Sequence, residues 1–152
     1  MDSETLREMV SKLDVAGVAA LEAAWAPLRE HGVDVVPWLL DAFPSFRTWQ
    51  GRSALVYHAV RYARSSEEAF QLGVLGCRDR SYVVRYRACG LLAYSQRTDA
   101  LGHLEPLLSH RDTRTVEDAR AATDAIESRN HHYFIDWSHS GRSFWRVNDG
   151  DE

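Results

Sequence analysis

The chain has 152 residues, 45% of them hydrophobic and 26% charged, with a formal net charge of −4. That length suits one domain burying about two-thirds of its unfolded surface, and no apolar run approaches the roughly 18 residues that a membrane helix needs. The N-terminus carries acid where a secretory signal needs base, and Cys77 and Cys89 are too few for a disulfide framework, so the expectation is a cytoplasmic protein with reduced, buried cysteines.

Leu6, Val10, Leu13, Val18, Leu21, Trp25 and Leu28 recur at largely helical spacing, which predicts one or two helices over 4–30, with Gly17 and Pro27 as edges or bends. A short helix follows between Val33 and Phe46, because Pro37 is tolerated in a first turn and Pro44 ends the run. Arg47 to Ala63 is amphipathic through Leu55, Val56, Ala59 and Val60. Ser65-Ser66-Glu67-Glu68 then supplies a cap and first-turn acid for a helix ending near Cys77. Asp79 stands as the cap of the next helix, whose buried face is Val84, Ala88, Leu91 and Leu92. Thr98-Asp99 signals another start before Leu101, Leu104, Leu107 and Leu108, and Pro106 inside that run predicts a kink or a later beginning. Thr113 to Ser128 closes the series through Val116, Ala119, Ala122 and Ile126, with Asn130 as C-terminal cap.

No strand signal appears before residue 132. Beyond it, Tyr133-Phe-Ile-Asp-Trp137 and Arg142-Ser-Phe-Trp-Arg-Val147 flank a four-residue loop ending in Gly141, which predicts a C-terminal β-hairpin over 131–148 and a disordered end at 149–152. One hairpin face must lie on the last helices or on a partner, since two strands alone are marginal. Tyr133, Ile135 and Trp137 share one face in this reading, and Phe134, Asp136, Phe144 and Arg146 belong to the exposed one.

The sequence also repeats itself. A shift of thirty-three residues puts Asp79 on Asp112, Val83 on Val116, Arg87 on Arg120, Ala88 on Ala121 and Leu75 on Leu108. A long helix opened by Asp and Val-Arg, then a turn and a leucine-rich helix, resembles the HEAT-repeat family of helical-hairpin solenoids, best over 47–128 and more loosely from the N-terminus to 130. The resemblance implies an all-α fold, a short solenoid of antiparallel helix pairs, with the hairpin as its terminal cap. It also implies a ladder of aspartate and arginine between units, so that Arg85 bonds Asp112. Two departures predict a ladder broken at both ends: Asp118 stands where the last arginine belongs, and Phe46 where an aspartate would match Arg52.

Charge is unevenly spread. Residues 1–46 hold 8 acids and 3 bases, residues 47–97 hold 3 and 9, and residues 98–152 hold 11 and 6. All nine central bases are arginines, suited to bidentate recognition of carboxylate or phosphate, unless they pair with the acidic thirds of their own chain or lie solvated. Arg52, Arg85 and Arg87 are the candidate basic centre, with Arg85 the most structural of them, and Trp49, Tyr82 and Tyr86 are the candidate aromatic anchors. His131, His132, Asp136 and His139 form too loose a cluster for a metal, Ser138-His139-Ser140-Gly141 reads as turn chemistry, and His58 reads as a core histidine. No catalytic residue, metal or cofactor is expected.

Three function classes remain open. The first is a non-enzymatic protein-binding module taking a partner with an acidic surface; small repeat proteins with a C-terminal hairpin of this Tyr-Phe-Ile-Asp and His-Ser-Gly-Arg kind resemble HEAT-type immunity proteins of bacterial polymorphic toxin systems, which implies occlusion of a secreted toxin domain. The second is nucleic-acid binding of the kind that HEAT-like DNA glycosylases perform, which the net acidity disfavours. The third is a scaffold or bilin-lyase-like subunit, which no residue specifically favours.

Overall fold

A computed structural model describes residues 2–151. Among the described residues there are eight α-helices joined by 3₁₀ turns and no strand. Helix α1 (Ser3–Ser11) is capped by Asp2, whose carboxylate accepts the Thr5 N–H. Helix α2 (Val18–Trp25) runs into 3₁₀ turns that bend at Gly32, where φ is 53°. Helix α3 (Val36–Ala42) carries Pro37 in its first turn, and Pro44 sits in the 3₁₀ turn that ends it. Helices α4 (Trp49–Ala59) and α5 (Glu67–Gly76) are capped by the hydroxyls of Thr48 and Ser66. Helix α6 (Tyr82–Ser95) is followed by the short α7 (Leu101–Leu104), which tightens to 3₁₀ geometry around Pro106. Helix α8 (Thr113–Glu127) is capped by Asp112.

The core is organised around α6, which packs against α4, α5 and α8 and fully buries Val84, Ala88, Cys89, Leu91 and Leu92. Glycine permits the close approach of α5. A Cβ on Gly73 would lie 2.6 Å from Leu91 Cδ2, and one on Gly76 would lie 2.8 Å from the Ala88 methyl. Cys77 and Cys89 are free and buried on this seam, and the Cys77 hydrogen bond together with burial pushes the Cys89 thiol well up. No helix among the described residues is long and apolar enough to cross a membrane.

Two expected caps are placed differently. Asp79 does not cap α6 from the N-cap position; that residue is Ser81, and Asp79 accepts the Ser81 N–H while its carboxylate faces Arg52. Asn130 is not the left-handed residue that ends α8 either, although its N–H bonds the Ala125 carbonyl. The helix ends at Ser128, the chain reverses through Arg129 at φ 55°, and Asn130 caps the next turn by accepting the His132 N–H.

The β-hairpin is a larger correction. Residues His131–Phe134 form a 3₁₀ turn, and 135–151 fold back across α6 as an irregular strap. Side chains take the backbone groups that cross-strand bonds would have used. The Trp145 N–H donates to His132 Nδ1 at 2.8 Å, and the Trp145 carbonyl bonds His131 Nε2 at 2.8 Å. Asp136 accepts the N–H groups of Ser140 and Gly141, and Asp151 accepts those of Val147 and Asn148. In the first run the facing also inverts, Phe134 and Asp136 being 5% and 4% exposed and Ile135 and Trp137 42% and 53%, whereas Phe144 and Arg146 of the second run are exposed as expected. Phe134 and Trp145 pack over Gly90, where a Cβ would come within 3.1 Å and 3.4 Å of their rings. In the stretch expected to be disordered, Asp151 is buried and bonded to the Tyr94 hydroxyl at 2.9 Å, and Glu152 lies outside the described residues.

Candidate functional site

Three loops lie side by side along one edge of the molecule, at residues 43–48, 77–81 and 109–112, each leading into α4, α6 or α8. Two buried arginines staple them together. Arg52 forks onto Asp79, with Nε at 2.7 Å and Nη2 at 3.2 Å, while its Nη1 reaches the carbonyls of Phe46 and Arg47. Arg85 repeats the arrangement one unit on, with Nη2 to Asp112 at 3.2 Å, Nη1 to the Asp79 carbonyl and Nε to the Thr115 hydroxyl. Each guanidinium therefore ties its own preceding loop to the next loop. At the N-terminal end Asp14 does the work of a missing rung by accepting the N–H groups of Arg47 and Thr48 and the Thr48 hydroxyl.

On this fixed edge four arginines, Arg47, Arg78, Arg80 and Arg111, are exposed, and none has an ion-pair or side-chain hydrogen-bond partner among the described residues. Two open hollows flank the wall formed by Arg78, Asp79 and Arg80. One lies against His110, Arg111 and Asp112, the other against Phe43, Pro44, Phe46 and Leu75. In each, the aspartates are engaged by the buried arginines, and Asp112 by Arg114 as well; Arg47 acts on Asp14, so Arg78, Arg80 and Arg111 are the guanidinium groups that leave an uncompensated positive edge.

The arginines named from sequence fall elsewhere. Arg52 and Arg85 are buried in the staple, and Arg52 is not without a carboxylate, because its partner is in the following loop rather than at position 46. Arg87 lies over the rings of Tyr57, at 4.8 Å, and Tyr86, at 5.7 Å, with its buried Nε unpaired. Arg61, Arg64 and Arg97 are tied down as well: Arg61 bonds Asn148, Arg64 bonds the Tyr94 carbonyl, and Arg97 bonds Asp99 and Glu67.

Of the aromatic candidates, Trp49 is exposed at the start of α4. Tyr82 lies beneath the Arg114 guanidinium at 3.9 Å, and Tyr86 packs against Phe134. On the strap Phe134 and Asp136 are interior, Phe144 is exposed beside His132, and Arg146 is exposed but engaged. Sequence reasoning counted Arg47, Arg78 and Arg80 among the nine central bases but singled out none of the four edge arginines. A signal for them exists in the repeat itself, since the thirty-three-residue shift puts Arg47 on Arg80 and Arg78 on Arg111.

At the edge hollows the hydrogen bond from Arg114 holds Asp112 below its ordinary value, and larger displacements occur elsewhere. His58 is stacked on Trp25 at 3.7 Å, and burial, with Arg29 nearby, lowers it to about 4. Asp118, in the position of the missing third arginine, is raised to about 6 by burial; one of its oxygens is unpaired, and the Tyr82 hydroxyl is its hydrogen-bonding neighbour. Burial and Asp118 together push the Tyr82 phenol up to about 12. The rings of His131 and His132 lie 4.0 Å apart, but the hydrogen bonds of the tail histidines and Asp136 go to Trp145, Ser140 and Asp124, and among the described residues no group of three metal-binding side chains converges. No protein-family model matches this chain, and comparison with curated proteins and with solved structures also returns no match.

Proposed function

We propose that this chain is a non-enzymatic protein-binding module of HEAT-repeat type, and that its loop edge receives the acidic surface of a partner protein. The observation that carries the reading is the set of four exposed arginines, Arg78, Arg80 and Arg111 unpaired and Arg47 facing only Asp14, on loops fixed from beneath by buried arginine–aspartate pairs. A rigid loop lowers the ordering cost of binding, and an uncompensated cationic edge steers an anionic partner and favours its correct orientation. The same thirty-three-residue spacing of Arg52–Asp79 and Arg85–Asp112 supports the HEAT resemblance, in which such rungs join successive units.

A protein partner fits better than a long polyanion. The edge is short, one of its hollows is partly apolar through Phe43, Pro44, Phe46 and Leu75, and the flanking thirds of the chain are acidic. The concrete form is a toxin-neutralising immunity protein acting by occlusion, a form that rests on the residue resemblance of the tail. The test is capture of partners from the source cell's lysate with tagged protein, washed at low and high salt. A stoichiometric acidic protein that is toxic when expressed alone supports the reading. Recovery of nucleic acid alone, released by salt, refutes it.

A further inference from the structure

The edge arginines share the period of the fold. Arg47 and Arg80 occupy equivalent positions in successive loops, as do Arg78 and Arg111, each pair thirty-three residues apart. The loops lead into α4, α6 and α8, and α6 packs directly against the other two, so equivalent loop positions are about one interhelical distance apart, roughly 8–10 Å. Arg52 and Arg85 hold the loops to that spacing by bonding across from one to the next. The positive edge is thus a ruler as well as a patch.

Resting on the acidic-partner reading above, we infer that the edge recognises a segment of the partner that presents carboxylates on one face at about this interval. A polyproline-II segment with acids at every third residue does so, since three residues rise about 9.3 Å and return to the same face. A β-strand does not match as well, because its same-face side chains fall about 6.6 Å or 13 Å apart. Carboxylate rather than phosphate is the matching group, because both the spacing and the half-apolar hollow beside Arg78 and Arg80 suit a folded protein's side chains. Two ion pairs formed together on a rigid edge gain from effective concentration, which a disordered cluster of the same charge lacks.

The test uses the full chain and two fluorescent peptides of identical composition, one of four Glu-Pro-Pro repeats and one with its four glutamates in a single block ahead of eight prolines. Binding is read by fluorescence polarisation at low salt, with a single-stranded thymidine oligonucleotide as a third probe. The repeat peptide is expected to bind at least about tenfold more tightly than the block peptide. Substituting one member of each pair, R80E and R111E together, should remove that preference, and R80A/R111A should do so with less change in charge; circular dichroism checks that both fold. Equal binding of the two peptides, lost in both variants, overturns the ruler while leaving the acidic-partner reading intact. Absence of binding by either peptide, combined with a lysate partner that both variants retain, sinks the reading itself. Tightest binding of the oligonucleotide overturns both.

Discussion

Replacing Arg52 with methionine keeps most of the aliphatic stem and removes the guanidinium. Four hydrogen bonds go with it, two to Asp79 and one each to the carbonyls of Phe46 and Arg47. The Asp79 side chain is 6% exposed and would be left with the Ser81 N–H as its remaining donor among the described residues. Breaking a buried pair from one side costs about 3–5 kcal/mol, because the surviving charge is stranded away from water. Against a total stability on the order of 5–15 kcal/mol, that is a large fraction. The double variant R52M/D79L removes both charges and should recover most of the loss, since replacing a whole buried pair by apolar groups is often about neutral. Urea denaturation at neutral pH, followed by far-UV circular dichroism, reads both values. A loss under about 1 kcal/mol for R52M would place the pair among exposed salt bridges and refute the staple. A double variant as unstable as R52M would refute the stranded-charge account while leaving the hydrogen bonds to the loop carbonyls as the cause.

Three further outcomes follow from the packing and the titrations. Asp118 is raised from its ordinary value of 3.8 to about 6, so over that interval the folded state holds a proton the unfolded chain has lost, and this group's contribution to stability falls as pH rises. D118N, which keeps an acceptor for Tyr82, should therefore be more stable than the parent above pH 6, by an amount on the order of 1–3 kcal/mol in denaturant titrations; equal stability there contradicts the assignment. His58 has the opposite sign: it is lowered from 6.5 to about 4, the unfolded chain binds the proton first, and stability is lost as pH falls through that window. H58F preserves the stack on Trp25 and should shrink the acid-side loss by up to about 3 kcal/mol, measured as the difference between parent and variant because Asp118 titrates across the same range. G76A should cost about 1–3 kcal/mol by forcing α5 away from Ala88, and a thermal melt unchanged from the parent would show that the seam yields.

The helices were legible because their signals are local. Ser66 before two glutamates, Pro37 in a first turn and the Val84, Ala88, Leu91, Leu92 stripe all act within a turn or two of themselves. The Arg85–Asp112 bond was legible through the repeat. The tail was not, since Tyr133 to Val147 has the composition of a hairpin, and its backbone is diverted by His131, His132, Asp136 and Asp151, whose partners lie 3 to 14 residues away. Local β-propensity lost to side-chain hydrogen bonding and to the fit of Phe134 and Trp145 over Gly90. The candidate basic centre moved for a related reason. Composition counts arginines but does not say which are consumed inside the fold, and Arg52 and Arg85 are, whereas Arg78, Arg80 and Arg111 stay on the surface.

The most direct test of the loop edge as an interface is the affinity of a captured acidic partner for the parent and for R78E/R80E/R111E, compared across a salt series. These three side chains have no partners to lose within the described chain, so folding should be preserved. The account predicts that the parent's affinity falls with salt, and that the variant binds at least about a hundredfold more weakly with a flatter salt dependence. Equal affinity and an equal salt slope in parent and variant would contradict it.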